Sequence, residues 1–464
     1  MKICIKNESQ RFLQFLQEEN NNNIIFSGIY GIGKSYFIND FFNNQHSEEY
    51  IPIILTPVNY SVANNEDIFE YIKADILLQL LEKVPCDLKN CLISTSEATY
   101  YYIKRNLVSI IGNILSTAEK VGFKTDIIHQ LLDLKKNIKK FQEENSLSED
   151  KEIKSFMNQL SYKQGSIYES NIITQIIQTL ISNAKKGKEP KEAILVIDDL
   201  DRIDPEHIFR ILNILSAHND FCYTHEHKFK FDKTILICDI DNIKKIFHTK
   251  YGTDVDFNGY IDKFYSKEIY YFQNENNIIE AITQQIYTRA DYYSDELLSD
   301  GIGNQILRFI LSALIRSKSI NIRNLLRFNM VFNLNENVYA CHRKFLIGEI
   351  LSITIFEIIE KLFINREEAL KAMNTLSNYE INIHSVNFDS KHFLSLFIAM
   401  ADFTHNRFAI TTNNIAHSYR NISYTIHENN GTAYLTSKDI TGVNIYKVIV
   451  DAYNNYYKYF SKIR

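Results

Sequence analysis

The sequence predicts an α/β fold: a parallel sheet with a helical insertion and a mostly helical C-terminal region. Three observations carry that reading. Short apolar runs alternate with amphipathic stretches of helical period. One run, 23-NIIFS-27, enters the glycine-rich turn 28-GIYGIGKS-35. Another, 194-ILVI-197, ends in paired acids at Asp198 and Asp199.

The elements follow in order. Strands are expected at Asn23–Ser27, Tyr50–Leu55, Ala193–Ile197, Thr234–Cys238 and Glu268–Phe272, each a compact apolar run, the first four bounded by turn or polar residues. Helical patterns fill 66–84 and 205–218, the latter opening on Pro205, whose missing N–H costs nothing in a first turn. Residues 95–188 fit no strand-and-crossover unit and read as a helical insertion, Lys/Glu-rich and solvated over 133–154. The expected division is therefore 1–94 and 189–276 for the two parts of the sheet core, and 277–376 for a helical lid. The C-terminal region, 377–464, carries helices and a hairpin over 422–437 that turns at Asn429-Asn430-Gly431. Between Phe272 and about Leu376 a run of helices is expected.

Composition bounds the class. The chain has 464 residues, 45% hydrophobic and 23% charged, as ordinary globular proteins do. A formal charge of −5 gives no global ground for nucleic-acid binding and leaves that partner open to a local basic patch. The 6 cysteines are scattered with no CxxC pair, which suits a reducing compartment. The N-terminal stretch lacks an apolar core of signal-peptide length. Residues 106–118 are too short to span a bilayer, and Glu349, Glu357 and Glu360 interrupt the apolar stretch 345–363. A cytoplasmic chain without a membrane span is the expectation.

The turn at 28–35 fits the pattern G-x-x-x-x-G-K-[ST]. Glycines let successive N–H groups point inward as an anion nest, and the helix that follows adds its positive end. Lys34 would reach terminal phosphates and the Ser35 hydroxyl would ligate Mg²⁺. A tight turn whose lysine faces water is the plain alternative. The acidic strand end answers it: Asp198 suits the metal, and Asp199 suits a water that it orients or deprotonates. Together the segments imply a nucleotide with Mg²⁺.

The chain resembles the KAP family of P-loop NTPases. The resemblance rests on GIYGIGKS, on ILVIDDLDRIDPEHIFRIL with its Asp198–Arg202 string and Pro205, and on TILICDIDNIKKIF and FNGYIDKFYSKEI. The stretch 59–77 adds to it, and the likeness runs from about Arg11 to Asn329. It implies an ATP-dependent switch related to signalling ATPases. By position, Gly28, Gly31, Gly33, Lys34, Ser35 and Tyr36 would hold the nucleotide, with Asp239 as a sensor-like residue. Ser35 and Asp198 would hold the metal. Lys34, Asp199 and the lid arginine Arg323 would act in catalysis, with Arg327 the alternative to Arg323. Asp201 and Arg202 complete the signature. Many relatives carry membrane helices where this chain has its insertion, and this insertion lacks one. The resemblance also implies a homo-oligomer, an effector protein encoded nearby and an anti-phage defence setting.

Two weaker features remain. His218, Cys222, His225 and His227 lie close in sequence, but their spacing fits no zinc pattern. The tyrosine-rich end after Ala452 suits either base stacking or a helix packing its aromatic face. The leading expectation is an ATPase; the competing one is an ATP-dependent scaffold that recruits a partner with negligible turnover.

Overall fold

The computed structural model describes residues 5–60, 68–84, 172–186, 190–219, 227–289, 301–320, 336–340, 342–379, 390–406, 416–426, 433–436 and 443–461. Most of the expected insertion lies outside these residues, as do Arg323, Arg327, Cys222 and His225. The chain divides into two compact units. One holds Asn7–Gly28 and Lys34–Phe272, the other Met1–Lys6, Ile29–Gly33 and Gln273–Arg464.

The first unit is built on a five-stranded sheet. Its strands are β1 (Asn23–Ser27), β2 (Tyr50–Leu55), β3 (Glu192–Ile197), β4 (Lys233–Cys238) and β5 (Tyr270–Tyr271). Their order is β2-β3-β4-β1-β5, and every pair runs parallel. Four strands match the sequence expectation within a residue, and the fifth narrows from Glu268–Phe272 to two residues at the sheet edge. Parallel strands covered on both faces need continuous apolar runs, and Ile194–Ile197 and Ile235–Cys238 supply them, all buried.

Side chains alternate across the sheet, so each strand feeds two cores. Ile25, Leu195, Ile197 and Leu236 pack on one face with Ile76 and Leu80 of α3 (Ile68–Lys83) and with Ile208 and Leu212 further along. On the other face Phe26 meets Phe12 of α1 (Lys6–Leu16) edge-on at 5.2 Å and Phe37 of α2 (Lys34–Asp40) in a stack at 5.7 Å. A π-turn, Phe41–Gln45, extends α2 and sends both Phe41 and Phe42 inward. The remaining helices of this unit are α4 (Ile172–Lys186), α5 (Pro205–Asn219), α6 (Ile240–Tyr251) and α7 (Phe257–Ile261).

Edge strand β2 is closed by a side chain. The Gln79 amide accepts from Ile54 N–H at 2.9 Å and donates to Ile54 C=O at 2.8 Å, as a neighbouring strand would. Pro52 has no N–H to offer, and its carbonyl accepts from Lys83.

In the second unit, α8 (Glu275–Arg289) and α9 (Ile302–Arg316) are followed by a hairpin of β6 (Asn337–Ala340) and β7 (Arg343–Leu346). This hairpin interrupts the run of helices expected between Phe272 and about Leu376. The hairpin's alternation covers only four residues per strand, too few to compete with the helical periods around it. Helices α10 (Leu351–Lys361), α11 (Arg366–Thr375), α12 (Ser390–Ala401), α13 (Phe403–Asn406) and α14 (Ile445–Tyr459) complete the unit with a three-stranded antiparallel sheet. Its strands are β8 (Ala416–Tyr419), β9 (Ile422–Ile426) and β10 (Ala433–Leu435). The last two are the expected hairpin, whose turn lies outside the described residues. Strand β8 carries no apolar alternation and was not expected.

Helix α10 is buried almost throughout, including Glu357, which accepts from Tyr456 Oη. Glu360 accepts from Arg366 Nε at 2.6 Å and from Tyr453 Oη at 3.1 Å. Tyr453 and Tyr456 are fully buried, so the tyrosine-rich end packs its aromatic face into this core. Among the described residues no helix is long and apolar enough to cross a membrane.

Candidate functional site

The C-terminal ends of β1, β4 and β3 lie side by side in the sheet. Each delivers a different piece of the candidate site. Strand β1 runs into the Gly28–Ser35 turn, β4 ends before Asp239, and β3 ends before Asp198 and Asp199. Because β4 separates β1 from β3, the ends of those two strands stand about 10 Å apart, two strand spacings. That gap suits a terminal phosphate and a hydrated cation.

The turn has the backbone its sequence requires. Gly31 and Gly33 take φ of 79° and 95°, where a Cβ would be strained. The Gly28 N–H donates to Cys238 C=O at 3.1 Å and anchors the turn on β4. Ile240 N–H donates to Ser27 Oγ at 3.1 Å and ties the start of α6 to the end of β1. Within the second unit, the Asn274 amide donates to Ile32 C=O at 3.1 Å at the tip of the turn. No sequence signal marks Asn274 for that task.

Lys34 is buried, and its ammonium donates to Gly28 C=O at 2.7 Å. Burial pulls its pKa down, while Asp201, Cys238, Asp239 and Asp198 pull the other way. The lysine therefore points along the turn into an acidic neighbourhood rather than out to water. Ser35 is half-buried at the first turn of α2, and Tyr36 is exposed.

Asp198 is buried, its N–H extending the β2 ladder to Leu55 C=O at 2.8 Å. Its Oδ1 accepts from the Asp199 N–H at 2.8 Å. Asp199 sits in the left-handed region at φ 54°, ψ 33°, and its Oδ2 pairs with Arg202 Nη1 at 2.7 Å. Burial first, and then the neighbouring Asp198, raise the Asp199 pKa; Arg202 opposes them. Asp239 is buried at the β4 tip and caps α6 by accepting from the Asn242 N–H at 3.4 Å. The Asn242 amide in turn reaches Asp201 Oδ2 at 3.3 Å, linking the β3 and β4 loops. The Asp-x-x-Asn spacing at 239–242 is a helix-start signal that could have been read from the sequence.

The donor set fits a hard cation and a polyphosphate. Carboxylate and hydroxyl oxygens are the ligands Mg²⁺ takes, usually few from protein and the rest from water and phosphate. Among the described residues no cluster of three or more His, Cys, Asp or Glu could hold a metal alone.

A parallel sheet with order β2-β3-β4-β1-β5, a glycine turn leading into a helix, and acids on the strand two places away define a P-loop NTPase. The KAP family P-loop domain matches residues 5–339 of the chain. The protein belongs to this family, and its P-loop domain is a nucleotide-binding NTPase domain at that level. A search of curated proteins found no match.

Proposed function

We propose that the chain is a Mg²⁺-dependent ATPase that works as a nucleotide-driven switch or motor. The observation that carries this reading is the placement of Lys34, Asp198, Asp199 and Asp239 on one edge of the sheet, at the ends of adjacent strands. In this reading the backbone N–H groups of Gly31–Ser35 cradle the phosphates and Lys34 neutralises their terminal charge. Ser35 and Asp198 hold Mg²⁺, which supplies further neutralisation of the phosphate oxygens when bound. Asp199 orients the attacking water or takes its proton, and Asp239 senses the terminal phosphate. Tyr36 offers an N–H to the phosphates, and the lid arginine, Arg323 or Arg327, would come from the 277–376 segment. The sequence-derived domain boundaries belong to this proposal. Self-assembly, a separately encoded effector and an anti-phage setting follow from the resemblance alone, and a cytoplasmic location is proposed from the scattered cysteines and the lack of a long apolar run in the sequence.

One observation favours a second reading, an ATP-holding scaffold with negligible turnover. The Asp199 carboxylate is already engaged by Arg202 at 2.7 Å. Phosphate release by the purified chain decides between the two. The first reading expects Mg²⁺-dependent release that Lys34→Ala and Asp199→Asn both abolish. It also expects Arg202→Ala to lower kcat about tenfold, as Asp199 loses its orientation. ATP binding with phosphate release no greater than that of either variant establishes the scaffold.

A further inference from the structure

The opposite edge of the same sheet carries a cavity of about 840 Å³. It lies where β1, β3 and β4 begin, with Asn23, Glu192 and Lys233 on its wall. The same strands end at the candidate nucleotide site, so this cavity is separated from it by the length of the sheet. A volume of this size is that of a small-ligand pocket.

The charges on the wall do not cancel. Asp232 has both oxygens committed, one to Lys185 Nζ at 2.7 Å and the other to the Ala193 N–H at 2.8 Å. Lys233 donates to Asn21 C=O at 3.1 Å. Lys230 and Lys263 are exposed on the wall, and among the described residues neither has a carboxylate partner. Glu192 is the one other acid lining the cavity. The balance is positive.

His227 lines the same cavity and adds a donor. Its Nδ1 accepts from the Phe229 N–H at 3.0 Å, so that nitrogen carries no proton. Burial, with Lys185 and Lys228 nearby, lowers the ring's pKa to about 3 and keeps it neutral. The single ring proton therefore sits on Nε2, which is buried and has no acceptor among the described residues. A buried N–H without a partner calls for an occupant that accepts.

We propose that this cavity is a second anion site, taking a small phosphorylated ligand whose oxygens accept from His227 Nε2 and lie between Lys230 and Lys263. Serine hydroxyls at Ser216 and Ser266 line the same space and suit phosphate oxygens. The proposal does not depend on the ATPase reading, because none of these residues belongs to the nucleotide turn.

The test is calorimetric titration of the full chain carrying Lys34→Ala, which weakens the nucleotide turn, with inorganic pyrophosphate. One saturable site is expected, weakened about tenfold or more by Lys230→Glu with Lys263→Glu and by added salt. His227→Phe, which keeps the ring shape and removes the donor, is expected to weaken it independently. With Lys34 intact, the paired lysine variant is expected to bind ATP within about twofold of wild type, since those side chains lie at the far edge of the sheet. The proposal fails if the Lys34→Ala chain gives no saturable heat, or if its binding ignores both the lysine and the histidine variants. It also fails if a single-stranded oligonucleotide binds through these residues while pyrophosphate is silent, which would make the patch a nucleic-acid surface.

Discussion

Lys34, Gly33 and Asp199 each fix a separate quantity. Lys34→Ala removes a cation from the proposed phosphate position and is expected to raise the Kd for ATP about a hundredfold, read by calorimetry. Asp199→Asn keeps the shape and removes the acceptor; kcat is expected to fall about a hundredfold or more with little change in KM. Gly33→Ala places a Cβ at φ 95°. It is expected to cost about 1–2 kcal/mol of stability and to weaken nucleotide binding together. A fourth residue sets a pH dependence. His227 has its pKa lowered to about 3 from 6.5. Below the unfolded value the unfolded chain binds the extra proton, so stability is full above about pH 6.5 and is lost as pH falls toward 3. The slope approaches about 1.4 kcal/mol per pH unit as an upper bound, since the ring is only partly enclosed. His218, shifted the same way by burial, adds to it. Urea midpoints from pH 7 to 4 check this, and His227→Phe is expected to flatten the curve.

At the scale of elements, the sequence was most readable where a strand had to be apolar over its whole length. Ile194–Ile197 and Ile235–Cys238 have no polar alternation to confuse them, and their ends fell within a residue of the expected places. The placement of Asp198, Asp199 and the glycine turn at strand ends was readable because glycines and acids abruptly end apolar runs there; the roles proposed for them rest on phosphate chemistry. Sheet order was not readable: nothing in β1 or β3 states that β4 lies between them, yet that ordering sets the width of the site. The β6–β7 hairpin and β8 were missed because four-residue strands leave too little period to detect. Gln79 was hidden for a different reason. A glutamine on an amphipathic helix reads as solvent-facing, whereas here its amide completes the exposed edge of β2. Gln79→Leu leaves an N–H and a C=O of that strand unpaired. It is expected to lower stability by about 1–3 kcal/mol, seen as a lower urea midpoint with an unchanged slope.

For the whole molecule, nucleotide binding and folding are one linked equilibrium. Ligand at about a hundred times its Kd adds about 2.7 kcal/mol to the folded state. Mg²⁺ with ATP is therefore expected to raise the Tm of the wild-type chain and to leave that of Lys34→Ala in place, a measurement that needs no turnover. On the reading proposed above, the contact that shapes this linkage is the one between Lys34 and the Gly28 carbonyl. Because that ammonium already has a partner inside its own turn, nucleotide entry is an exchange and not a simple addition. A triphosphate replaces the lost carbonyl contact with a stronger one to its outermost oxygens. A diphosphate, lacking those outermost oxygens, is expected to hold the lysine less firmly, read as a higher Kd for ADP than for ATP. The turn thus tells spent fuel from fresh by whether one amine changes its allegiance.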